Sequence, residues 1–238
     1  MKIAGTTMSA LVAGLAMASV VTAAVNTSSF TLDGEGWTGI SSVAQVASGG
    51  AVDNGGYLAI SRANADPIGE AIAGTDGGAF VGNLQTTYGE GGAADGLTIS
   101  LYYRDFSTGT AQASPRYLAI MFSSGSNDNF LINPGTYPVN PPAVVKDEWR
   151  QMSLEIKFDW TDVQASAAGW NHNGSGSLTW AQVMENVTRF RVQSWDDLTG
   201  NGLNQVLGVD EVTFASVPEP MGLALLGLGG LAALRRRR

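Results

Sequence analysis

Across 238 residues the chain carries 13 Lys and Arg against 21 Asp and Glu, a formal charge of −8, with one histidine and no cysteine. The missing thiols exclude disulfide staples and cysteine-type zinc sites, and His172 alone leaves Ser-His, Cys-His and histidine-rich metal constellations almost nothing to draw on. The acidic balance weighs against nucleic acid and other polyanions as partners and favours solubility or cations.

The N-terminus has Lys2, an apolar stretch from Met8 to Val21 relieved only by small residues, and then Thr22-Ala23-Ala24. This is the three-part plan of a secretory signal peptide, so residues 1–24 are read as a signal helix cleaved after Ala24. The body, residues 25–216, is one domain of roughly 190 residues, long enough for a real core. The two ends hold five of the 13 basic residues and one of the 21 acidic ones, so the body is more acidic than the whole, at about −12.

Along the body the hydrophobic pattern repeatedly has period two. Met152 to Phe158 and Leu97 to Tyr103 alternate apolar and polar residues, as half-buried strands do, and Arg116 to Phe122 and Arg189 to Trp195 are further strand candidates. Turn-rich segments separate them: Asp53-Asn54-Gly55-Gly56, Asp76-Gly77-Gly78 and Asn133-Pro134-Gly135. Asn133 to Pro142 forms a long proline-rich loop. One interior helix is read, Thr179 to Asn186, with Thr179 or Ser177 as its cap and Trp180, Val183 and Met184 on one side. Many strands with one short helix predict an all-β fold, an antiparallel β-sandwich.

After the body comes Val217-Pro218-Glu219-Pro220, whose prolines stop regular structure, then an uncharged run from Met221 to Leu234 and Arg235, Arg236, Arg237 and Arg238. As a helix the run reaches about 21 Å, short of the roughly 30 Å hydrocarbon core. The arginines favour membrane insertion with the body outside, because they snorkel to headgroups and obey the positive-inside rule. Motif, short apolar helix and arginine cluster together resemble the PEP-CTERM sorting signal over residues 217–238. That resemblance implies recognition near Pro-Glu-Pro by an exosortase, transient membrane anchoring, and delivery to the cell surface or an exopolysaccharide matrix. The chain would be the substrate of that reaction, its apolar tail removed as in other C-terminal signals.

The body also resembles the laminin B (domain IV) module. Phe80 to Gly89 before the strand at Leu97, the tryptophan-led strand Trp149 to Phe158, the block Val183 to Val192 and the closing strand Leu207 to Phe214 follow that order. The resemblance implies a jelly-roll-like sandwich without catalytic activity. The family's tyrosine and strand are separated here by a glycine-rich insertion at Glu90 to Gly96, and its final Leu-Asp-Asn-Val is Val209-Asp210-Glu211-Val212.

Candidate chemistry is sparse. Asp33 and Glu35 near the first strand and Asp210 on the last are the residues for a structural calcium, which takes six to eight oxygens and in this fold class often joins the first and last strands. The loop Asp196 to Gly202 is a second acidic candidate without EF-hand spacing. Trp170, beside Asn171, His172 and Asn173 in a glycine-rich segment, is either a sugar-stacking platform or a loop anchor, whereas Trp37, Trp149, Trp160, Trp180 and Trp195 are read as core. Asp159, Asp162, Glu148 and Glu185 are read as solvated strand-edge or helix-start charges, although a glycosidase would need two carboxylates set apart across a cleft. The expectation is a noncatalytic, exosortase-sorted envelope or biofilm-matrix protein, with a carbohydrate-binding module and a polysaccharide hydrolase or lyase as the alternatives.

Overall fold

The computed structural model describes residues 24–39, 42–52, 54–62, 71–89, 94–106, 117–132, 148–195 and 205–218. The strands are β1 (Val25–Ser28), β2 (Ser42–Val46), β3 (Tyr57–Arg62), β4 (Ala71–Thr75), β5 (Ala94–Asp105), β6 (Tyr117–Ser124), β7 (Asp128–Ile132), β8 (Arg150–Lys157), β9 (Trp170–His172), β10 (Arg189–Trp195) and β11 (Gln205–Pro218). Their side-chain alternation explains them. Leu97, Ile99, Leu101 and Tyr103 of β5 and Leu118, Ile120 and Phe122 of β6 are all buried, and Leu154 and Ile156 of β8 are buried between exposed Ser153 and Glu155. Each fully buried aliphatic or aromatic side chain contributes on the order of 1.5–3 kcal/mol.

All pairings are antiparallel, in two sheets. Sheet A runs β2-β3-β11-β5-β8, with β1 also on β11, and sheet B runs β4-β10-β6-β7-β9. The late strands β10 and β11 insert between early ones, so each sheet closes only when the C-terminal third of the body arrives. The sheets face each other across an aromatic core: Phe190 of β10 and Phe214 of β11 lie 4.9 Å apart, and Phe80 and Phe122 pack on the same pair. This is the antiparallel β-sandwich that the alternation predicts, with the jelly-roll-like arrangement that the laminin B resemblance implies.

Among the described residues three short helices stand where a single interior one was expected: α1 (Leu84–Tyr88), α2 (Asp162–Ala167) and α3 (Trp180–Glu185), with a 3₁₀ turn at Gly78–Phe80. The predicted helix is α3, capped by Thr179, whose hydroxyl accepts from the Gln182 amide while the Gln182 side chain accepts from the Thr179 amide. Thr161 and Gln164 make the same capping box for α2. That helix escapes a periodicity search because Ala165 alone is buried and Val163 is 78% exposed, so there is no apolar stripe. Helix α1 is five residues long, too short to show a period, and is started by the Asn83 side chain accepting from the Thr86 amide.

The two ends of the body meet. Strand β1 pairs with β11 from Val25↔Ala215 to Ser28↔Val212, and Ala24 exchanges hydrogen bonds with Ser216 at 2.9 Å each. Strand β11 also continues past the expected body boundary at residue 216, pairing Val217 with Gly96 and Pro218 with Ala94. Pro218, read as a stop to regular structure, is itself in the strand and is the last described residue.

Candidate functional site

Because Leu58 and Ile60 of β3 point into the core, Tyr57, Ala59 and Ser61 lie on the outer face of sheet A. The register places Ala44, Ala59, Gly208 and Arg104 in one row across β2, β3, β11 and β5 on that face. Three residues of that row have small side chains or none, so the face has a low floor. Tyr57, Phe106 and Trp149 stand around it, all three half-buried.

Their geometry is specific. Tyr57 and Phe106 stack with centroids 5.2 Å apart and planes 17° apart, and Trp149 meets both edge-on at 5.4 and 5.9 Å. The Trp149 indole N–H donates to the Gly49 carbonyl at 2.9 Å, and the Phe106 amide donates to the Val206 carbonyl at 2.9 Å, which pins both rings to the sheet. Glycine is required at 208 by close approach: a Cβ there would sit 2.5 Å from the Phe106 ring and 3.1 Å from Trp149. The Arg104 guanidinium carbon lies 4.4 Å from the Phe106 centroid, in cation–π range. Its Nε is buried with no hydrogen-bond acceptor, and among the described residues no carboxylate pairs with it. Burial pushes the Tyr57 hydroxyl above its ordinary pKa, and the Arg104 charge pulls it partly back.

The expected calcium residues part company. Asp33 is exposed and its Oδ1 accepts from the Glu35 amide at 2.7 Å, closing its own turn. Glu35, at φ +49°, accepts from the Phe30 and Ser29 amides through Oε1 at 2.8 and 3.2 Å. Asp210 is 1% exposed, and its carboxylate accepts from the Ala51 amide at 2.8 Å and the Glu211 amide at 2.9 Å, beside a bulge where Glu211 takes φ +49°. Burial pushes the Asp210 carboxyl up, three backbone amides oppose that, and the negative charge of Glu35 adds to it. Glu35 and Asp210 are therefore in electrostatic reach of each other, while Asp33 is not shown to join them.

Oxygens also converge here, because a Cβ on Gly50 would lie within 3 Å of the Gly55 and Gly56 carbonyls and Asp210 Oδ2. Such a donor set suits a hard cation in kind. In number it is thin, since no group of three or more His, Asp or Glu gathers among the described residues.

Trp170 is not a platform. It is 1% exposed, sits in strand β9 rather than a loop, and packs against Phe122 at 5.4 Å and Trp180 at 5.2 Å. Trp37 and Trp180 are core as expected, and Trp160 is half-buried against Trp180. Trp149 departs from the core reading, because β8 starts just after it and its ring covers the outside of the sheet. His172 is at the exposed edge, its Nε2 3.5 Å from Asp128.

A cleft of about 480 Å³ lies elsewhere, between β1 and the turn after β4, with Asn26, Glu35, Asp76 and Phe80 among its walls. Asp76 is held by the Arg189 guanidinium at 3.1 Å, a hydrogen bond that keeps its carboxyl below the ordinary range, so it stays ionised and is no proton donor. The buried Tyr88 hydroxyl beside the cleft donates to the Ala79 carbonyl and accepts from Asn26, and burial pushes it up to about 12. The carboxylates read as structural behave so: Asp162 accepts from the Trp180 amide at 2.6 Å, Asp159 and Glu185 face solvent, and Glu148 is 3.9 Å from Arg150.

Residues 1–23, 133–147 and 196–204, and the tail from Glu219 through Pro220 to Arg238, lie outside the described residues. Among the described residues no helix is long and apolar enough to cross a membrane.

No family model and no curated protein matches the sequence. Among solved structures the chain is similar to the CBM22-1 xylan-binding domain from Paenibacillus barcinonensis Xyn10C, at TM-score 0.44 and 11% identity over 82% of this chain and 94% of that one. It is also similar to SGBP-B from a complex xyloglucan utilization locus in Bacteroides uniformis, at 0.41 and 12% over 76% and 47%. The conserved carbohydrate esterase from Shiga toxin-encoding bacteriophage phi24B aligns at 0.41 and 11% over 80% and 99%. Likeness this distant identifies neither family nor ligand, and function has to be argued from the site itself.

Proposed function

We propose that the chain is an exported, noncatalytic envelope protein that binds polysaccharide on the outer face of sheet A. The observation that carries this reading is the half-buried cluster of Tyr57, Phe106 and Trp149 over the Ala59 and Gly208 floor. Partly exposed aromatic rings fixed on a rigid sheet, edged by a guanidinium, offer apolar faces to sugar C–H groups and donors to their oxygens. Trp149 has the largest ring and is tied down by its own hydrogen bond, so it is the anchor. A glycan array with wild type and Trp149→Ala tests this: binding that disappears in the variant supports the platform, and no binding to any glycan removes it.

Delivery is proposed from the two ends. Residues 1–24 direct export, and Val217, Pro218, Glu219 and Pro220 with the apolar run and Arg235–Arg238 direct transient membrane anchoring and exosortase cleavage, leaving the body at the surface or in an exopolysaccharide matrix. Intact-mass analysis of the secreted protein should find the arginine tail gone; a retained tail overturns the sorting reading. A structural calcium belongs to the same proposal, with the Asp210 and Glu35 carboxylates and backbone carbonyls of the 49–56 loop holding it, and its role would be to neutralise buried charge and tie that loop to β11.

A further inference from the structure

Arg104 is unusual in this molecule. It stands on a sheet face whose other row members are Ala44, Ala59 and Gly208, its guanidinium lies over the Phe106 ring, and its Nε is out of reach of water without an acceptor. The ring attracts the positive charge through its face, but it cannot accept the N–H bonds that lie in the guanidinium plane. Burying such a donor unsatisfied is costly, and because Nε is closed while the side chain as a whole is half-buried, an incoming anion meets Arg104 through its terminal nitrogens. Among the described residues Arg189 pairs with Asp76 and Arg150 with Glu148, each within 4 Å, and Arg104 is the arginine with a buried nitrogen that has no acceptor.

We infer that the outer-face platform selects polysaccharides carrying carboxylate groups, the sugar ring packing on Trp149 and Tyr57 while its carboxylate meets Arg104. This rests on the glycan-binding reading above and names its ligand class. The planar guanidinium fork matches a carboxylate in shape, which an ammonium does not, so a uronic acid supplies both halves of the match: an apolar ring face and a planar anion at its rim. The acidic character of the chain does not contradict this. One guanidinium takes one carboxylate at short range, whereas the net charge of −8 repels a polyanion at long range. Moderate salt should speed association by screening that repulsion.

The test uses the full chain in affinity electrophoresis and titration calorimetry against polygalacturonate and against the same polymer after carboxyl reduction, with wild type, Arg104→Gln, Arg104→Lys and Trp149→Ala. Thermal melts of each variant establish that it is folded. The expected result is binding to polygalacturonate that weakens about tenfold to a hundredfold both on carboxyl reduction and in Arg104→Gln, with Arg104→Lys recovering only part of it. Equal wild-type binding to the two polymers overturns the carboxylate inference and leaves the platform reading standing, provided Trp149→Ala abolishes both. Full binding by folded Arg104→Gln also overturns it. Binding to neither polymer overturns it as well, and the glycan array then decides whether the platform reading falls with it.

Discussion

Trp170, Trp180, Phe122 and Phe130 meet inside the sandwich, and Tyr57, Phe106 and Trp149 meet outside sheet A, with ring separations of 5.2–5.4 Å in the first cluster and 5.2–5.9 Å in the second. The inner rings are at most 2% exposed and the outer ones are half-buried. The polar handles differ too: the Trp180 indole N–H is spent on the Lys157 carbonyl inside the fold at 2.8 Å, whereas the outer cluster carries a guanidinium with an unmet donor. Ring geometry therefore does not distinguish a core from a binding face. What distinguishes them is which side of a sheet the rings fall on and whether a polar group is left over.

The largest effect should come from the inner cluster. Trp180→Ala removes a fully buried ring and its hydrogen bond and is expected to cost about 3–5 kcal/mol in urea unfolding, with glycan affinity of the remaining folded protein unchanged. A cost below about 1 kcal/mol would show that the inner rings do not carry the core. Next is Gly208→Val, whose side chain collides with Phe106 and Trp149. It should cost about 1–3 kcal/mol and disperse the outer cluster, read as lost near-ultraviolet circular dichroism together with lost binding. Stability lost with binding intact would break the link between the cluster and the ligand.

Asp210, on the same face two residues from Gly208, gives a pH signature. Its carboxyl is raised on folding, so its favourable contribution is present below the ordinary carboxylate value and is lost as pH rises through the raised one. At neutral pH the buried charge is a burden that a cation would relieve. Added calcium should raise the melting midpoint by about 2–4 °C for each kcal/mol of binding, and Asp210→Asn should not respond. An unchanged wild-type midpoint between chelator and excess calcium ends the calcium proposal. The smallest change in stability is expected from Trp149→Ala, about 1 kcal/mol, because its ring is only half-buried, although its effect on binding should be complete. A cost matching that of Trp180→Ala would make the outer cluster a second core.

Much of the fold was legible in the alternation of β5, β6, β8 and β10, and in the Thr179–Gln182 capping pair that starts α3. The second capping pair, Thr161–Gln164, was equally present in the sequence, and its T-x-x-Q spacing was the signal that would have found α2. Strand β9 had no such signal. Three residues become a strand only because β7 offers a free edge, pairing Phe130, Leu131 and Ile132 with His172, Asn171 and Trp170. That pairing moved Trp170 from a glycine-rich loop into the core.

By itself the sequence determined the two-sheet antiparallel class, the export and sorting expectations at its ends, and the scarcity of catalytic groups, because these follow from local period, local motif and composition. Tertiary structure alone decided which tryptophan faces solvent, that Gly208 lies beneath the Phe106 and Trp149 rings, and that Glu35 falls within electrostatic reach of Asp210. Those facts depend on register between strands far apart in the chain, and a shift of one residue in any pairing would turn each side chain to the other face of its sheet.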